Sequence, residues 1–132
     1  MAIAGMNHFT VLTDDVERTT AFYGELLDLH PGERPDLGVP GVWLYAEGDP
    51  VLHIVGGCSR QRLVPGVIDH IAFTATDLAA TLATLKRAGI QHSCSRQPGT
   101  QLWQVFFIDP NGARVELDFA ASEAAPETRY SE

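Results

Sequence analysis

Apolar and polar residues alternate at every second position in several short stretches of this chain, and between them apolar residues recur at helical spacing. The first alternating stretch is His8-Phe9-Thr10-Val11-Leu12, with His8, Thr10 and Leu12 on one face and Phe9 and Val11 on the other. A helix is predicted next, N-capped by Asp14 with Glu17 at the capping-box position, and its stripe is Val16, Phe22, Tyr23, Leu26 and Leu27. Residues 30–40 mix Pro, Gly and charge and read as a loop. Strands are predicted at Val42–Ala46 and Val51–Val55, joined by a turn at Gly48-Asp49-Pro50.

Residues 58–68 have no period and form the joint. After it the pattern starts again. Asp69-His70-Ile71-Ala72-Phe73 is a strand, Thr76 or Asp77 caps a helix with Leu78, Leu82 and Leu85 as its stripe, and Gly89 is placed to end it in the left-handed conformation. Residues 91–101 are polar and loop-like, with room for a weak edge strand. Leu102–Ile108 and Arg114–Phe119 flank Asp109-Pro110-Asn111-Gly112 as a hairpin, and Glu116 points away from the apolar face made by Val115, Leu117 and Phe119. Residues 121–132 read as a flexible acidic tail.

The two halves superpose. His8 and His70, like Asp15 and Asp77, are 62 residues apart, whereas His53 and Glu116 are 63 apart. A fixed offset marks a duplicated supersecondary unit. The expected fold is therefore α+β: two βαβββ modules, about 6–57 and 68–119, related by a pseudo-twofold axis within one domain spanning 1–120 and opening onto a barrel-like cleft.

Composition narrows the partners. A formal net charge of −8 repels phosphate backbones, and the nine Lys and Arg are scattered, so nucleic acid is not expected. No apolar run reaches the ~20 residues that span a bilayer, and the N-terminus lacks a basic block before an apolar one. A cytoplasmic location with no membrane partner is expected, with Cys58 and Cys94 as reduced thiols. Trp43 and Trp103 are read as core residues, and Arg34, Arg60, Arg62, Arg96 and Arg114 as arginines able to hold a substrate carboxylate.

His8, His53, His70 and Glu116 occupy matched positions, two per half, each on the strand face opposite the bulkier apolar residues. A lone strand histidine is ordinarily structural, but four ligand-type residues at two pairs of matched positions point to a divalent metal: zinc, iron(II), nickel or manganese. His30 and His92, in loop-like segments, receive no role.

The chain also resembles a family. His8 opening a strand, Phe22-Tyr23 with Leu26-Leu27, Asp69-His70-Ile71-Ala72-Phe73, and Phe106-Phe107-Ile108-Asp109-Pro110-Asn111-Gly112 leading to Glu116 look like the vicinal oxygen chelate superfamily. That superfamily contains glyoxalase I, extradiol dioxygenases, fosfomycin-resistance thiol transferases, methylmalonyl-CoA epimerase and bleomycin-binding proteins. The resemblance implies paired βαβββ modules, a homodimer, and metal ligands at His8, His70 and Glu116, with His53 at a fourth, variable position. It further implies a glyoxalase-like lyase or isomerase that acts on a small-molecule substrate, Glu116 taking the proton. The alternatives are an iron(II) ring-cleaving dioxygenase built on His8, His70 and Glu116, and a small-molecule binding or resistance protein. His53 departs from the Glu or Gln typical of glyoxalases. Residues 93–115 also lack the acid/base His and the Tyr expected near the hairpin of a dioxygenase, and Phe106 and Phe107 stand where that Tyr is expected.

Overall fold

The computed structural model describes residues 1–127. The chain divides into two compact units, Met1–Val64 and Pro65–Glu132, a division that falls within the joint at 58–68. Each unit is a strand, a helix and three further strands around one four-stranded sheet.

In the first unit β1 (Phe9–Leu12) lies parallel to β4 (Asp49–Val55), and β3 (Gly41–Ala46) and the two-residue β2 (His30–Pro31) continue the sheet antiparallel, in the order β1-β4-β3-β2. Val11, Leu44, Leu52 and Ile54 are buried, as is Tyr23 of helix α1 (Val16–Leu27). The cap of α1 is Asp15 rather than Asp14. Asp15 is extended, at φ −146°, and its Oδ1 accepts from the Arg18 amide at 3.0 Å. The Thr13 hydroxyl fixes this register by accepting from the Asp15 amide at 2.9 Å. The β3–β4 turn is also one step earlier than predicted. Glu47 and Gly48 both have positive φ, 50° and 87°, and make the two-residue turn whose twist suits a hairpin, so Asp49 and Pro50 already belong to β4.

The second unit repeats the plan. β5 (Ile71–Thr74) lies parallel to β8 (Arg114–Phe119), followed by β7 (Trp103–Ile108) and β6 (His92–Arg96) in the order β5-β8-β7-β6. Helix α2 (Leu78–Arg87) buries Leu78, Leu82 and Leu85, which lie on one face over about two turns. Asp77 is its cap, and Gly89, at φ 67°, follows its end. Segment 91–101 contains the edge strand: β6 pairs with β7 from His92↔Phe107 to Arg96↔Trp103, and only Cys94 of the strand is fully buried. Polar residues around one inward Cys hide the period there. His30 and His92 consequently lie in strands. The β7–β8 turn is held by buried Asp109, whose Oδ1 accepts from the Asn111 and Ala113 amides at 2.8 Å each, with Gly112 at φ 94°.

The tail begins attached. Glu123 accepts from the Leu78 amide at 2.7 Å and the Asp77 amide at 3.2 Å, and its carbonyl accepts from the Trp103 indole at 3.0 Å. Residues 128–132 of the expected flexible tail lie outside the described residues.

Candidate metal centre

The duplication is written into the strand ladders. His53 stands between Thr10 on β1 and Trp43 on β3, and Glu116 between Ala72 on β5 and Phe106 on β7. Thr10 is two residues beyond His8, and Ala72 two beyond His70. Strand alternation therefore puts His8 and His53 on the outer face of the first sheet, and His70 and Glu116 on the outer face of the second.

In the second unit these side chains meet. His70 Nε2 is 3.1 Å from Glu116 Oε1, and His70 Nδ1 donates to Asp69 Oδ2 at 2.7 Å. When the ring carries its single proton on the side of Asp69, its other nitrogen turns a lone pair toward a carboxylate oxygen. Two acceptors this close require a cation joining them, a proton or a metal. Two ligand atoms ~2.1 Å from one metal at a right angle stand about 3 Å apart, so the observed separation suits neighbouring ligands. Asp69 is held in turn by Arg114 Nη1 at 2.8 Å, and the Arg114 guanidinium lies 4.5 Å over the Phe106 ring. Phe106 meets His70 edge-on.

Glu116 is buried, with its Oε2 accepting from Gln104 Nε2 at 3.1 Å. Burial, followed by the hydrogen bond and charge of Asp118, raises its pKa above the usual carboxylate value. A group that keeps a proton readily and ionises against positive charge suits proton transfer as well as metal binding.

In the first unit His8 Nδ1 donates to Asn7 Oδ1 at 2.6 Å, the counterpart of the His70–Asp69 bond, which leaves Nε2 as the acceptor. The ring of His53 is sandwiched: it stacks on His8 with centroids 3.6 Å apart and on Trp43 at 4.1 Å. Trp43 thus lines the outer face instead of filling the core, whereas Trp103 is buried as expected. His53 Nε2 is buried without a hydrogen-bond partner, an arrangement that costs free energy unless a ligand satisfies it. Burial first, and the charge of His8 second, lower the His53 pKa and favour the neutral, ligand-competent ring. Stacked rings hold their lone pairs in parallel planes, so only one of His8 and His53 can aim at a given ion until a ring turns.

The four predicted residues therefore come together as two pairs, His8 with His53 and His70 with Glu116. No group of three or more His, Cys, Asp and Glu placed to hold a metal occurs among the described residues. The donor set suits a borderline divalent ion, and the tethered Nδ1 atoms of His8 and His70 supply the orientation that ligating histidines need. Sequence reading passed over Asn7, Gln104 and Asp118 and gave Asp69 no orienting role. Asn7 and Asp69 carried a signal, since they share the offset of the histidines they orient.

The family model described as the Glyoxalase/Bleomycin resistance protein/Dioxygenase superfamily matches residues 5–117. The chain belongs to this superfamily. Among its curated relatives, Glyoxylase I 4 of Arabidopsis thaliana is 27% identical over 87% of this chain and 70% of its own length. The Ethylmalonyl-CoA/methylmalonyl-CoA epimerase of Cereibacter sphaeroides is 29% identical over 88% of this chain and 98% of its own. Among solved structures, the fosfomycin resistance protein FosX from Listeria monocytogenes shares the fold, with a TM-score of 0.73 at 19% identity over 90% of this chain and 95% of its own. A variant of FosX was crystallised with Mn(II) and a dihydroxypropylphosphonic acid; it has a TM-score of 0.73 at 20% identity over 90% of this chain and 94% of its own. The two-unit α+β architecture is thus the fold of this superfamily.

Proposed function

We propose that the chain is a divalent-metal-dependent enzyme of glyoxalase type, a lyase or isomerase that moves a proton beside a carbonyl of a small oxygen-rich metabolite or its thiol adduct. It acts as a cytoplasmic homodimer. The assembly is suggested by the resemblance to the superfamily and the location by the sequence pattern, neither by the residues of the site. The observation that carries the reading is the 3.1 Å approach of His70 Nε2 to Glu116 Oε1, with the far side of His70 tied to Asp69.

His8, His70 and Glu116 supply ligands, and His53 takes a fourth position by turning out of its stack. A bound divalent ion would supply the positive charge that polarises the substrate carbonyl and stabilises charge developing on its oxygen. Glu116 holds the transferred proton. Its burial and the neighbouring Asp118 raise its proton affinity, and Gln104 fixes the carboxylate while the proton moves. The curated relatives named for glyoxalase and epimerase activities support this class, and the Mn(II) complex of the structural relative supports a divalent ion.

Metal content after chelator-free purification, with titrations of Glu116→Gln and His53→Ala, tests the reading. Wild type should hold about one ion per chain. Glu116→Gln should weaken binding by about a hundredfold or more, and His53→Ala by about tenfold (ligand losses should equal or exceed the 10–100-fold of outer-shell changes). A metal-free wild type with unchanged variants would sink the four-residue centre. Oxygen consumption on catechols with iron(II) would replace the lyase or isomerase with a dioxygenase.

A further inference from the structure

The outer face of the first sheet carries a cation without a counter-ion. Arg34 Nη2 donates to the Val39 carbonyl at 3.0 Å, but Arg34 Nε is buried with no hydrogen-bond partner, and no carboxylate among the described residues pairs with this guanidinium. Arg60 has Asp14 and Arg114 has Asp69, so Arg34 is set apart from both. A buried N–H donor left unused is costly unless an acceptor completes it.

The position of Arg34 gives an anion there a use. A Cβ at Gly41 would run first into the backbone carbonyl of Ile54 on β4 and then come within 3.1 Å of Arg34 Nη2, so the missing side chain lets both the neighbouring strand and the guanidinium lie close. Gly41 has the same strand parity as Trp43, which is paired with His53. Arg34 Nη2 therefore lies beside Gly41, two strand residues or about 7 Å along β3 from Trp43 and the rings stacked on it. Its charge is near enough to act on His53.

We propose that Arg34 is the substrate's anion-binding residue, and that the substrate is a small carboxylic acid whose carboxylate pairs with the guanidinium, taking Nε as the side chain turns to uncover it, while its reacting oxygens lie beside His53. A planar carboxylate matches the guanidinium edge. That this acid is a substrate rests on the metal-dependent reading above. The Nε geometry by itself stands independently of it.

The test uses metal-free protein and malonate, followed by ¹H–¹⁵N NMR. Malonate should shift the Gly41 amide and the Trp43 indole saturably, and neutral malonamide should not. Arg34→Met should weaken malonate by at least about tenfold, the scale of a lost charge-assisted hydrogen bond. Arg34→Lys, which keeps the charge, should restore part of the binding and guards against a folding defect in the first variant. Equal malonate binding by wild type and both variants, or no binding by wild type, would overturn the proposal and leave Arg34 a strap for the Val39 carbonyl. Metal titration of the same samples separates the two readings: a wild type that binds malonate but no metal loses the metal centre and keeps the anion site.

Discussion

At the scale of single residues, two histidines are oriented by the side chain that precedes each, and only one of those side chains is itself held. Asp69 is gripped by Arg114, which lies over Phe106, while Asn7 is a neutral amide next to His8. The second-unit histidine is thus the better fixed. Arg114→Met should lower metal affinity about tenfold with little loss of fold, in the 10–100-fold range of outer-shell changes; calorimetric titration with zinc checks it, and unchanged affinity would make Arg114 a surface residue. Cys94 permits a prediction on pH. Burial raises the pKa of its thiol, so the folded state keeps the proton after the unfolded chain has lost it. The stabilisation is complete below the unfolded thiol's pKa of about 8.5 and declines as pH rises above it. Between roughly pH 8 and 10 the unfolding free energy of wild type should therefore fall more steeply than that of Cys94→Ala, as urea denaturation would show.

At the scale of elements, α2 begins where two acidic side chains meet its free amides. Asp77 Oδ1 accepts from the Ala80 amide at 3.2 Å, and Glu123 takes the amides of Asp77 and Leu78 from the far end of the chain. Glu123→Ala should cost about 1 kcal/mol, the usual scale for a lost helix cap. A lower denaturation midpoint at unchanged slope would show it, and an unchanged midpoint would show that Asp77 suffices. The same elements mark where local pattern gives out. Asp14 and Asp15 are equally good caps by type, and the Thr13 hydroxyl chose Asp15. Strand β6 was hidden because an edge strand with one buried Cys needs no apolar alternation, while its backbone still pairs with β7. Glu123 could not be found from sequence, since its partners lie 45 and 46 residues away.

At the scale of the whole molecule, the proposed ion would bind only folded protein and should raise its stability. At a hundredfold excess over its dissociation constant the gain is about 2.7 kcal/mol, a shift of several degrees in melting temperature. Zinc or manganese should raise the melting temperature of wild type, a chelator should reverse the rise, and Glu116→Gln should show little of it; a wild-type melting temperature indifferent to millimolar metal would count against the centre. No helix among the described residues is long and apolar enough to cross a membrane.

The sequence by itself determined the duplication, the α+β plan and the sheet face on which His8, His53, His70 and Glu116 lie, because strand period and a fixed offset are properties of the chain alone. Only the tertiary structure decided that His53 is clasped between His8 and Trp43, that Asn7 and Asp69 hold the far sides of their histidines, and that Arg34 stands over Gly41 without a counter-ion. Alternation fixes the side of the sheet to which a residue points. The rotation of a ring and the partner of a guanidinium depend on what neighbouring strands and loops place within 3 to 4 Å, and that is settled by packing.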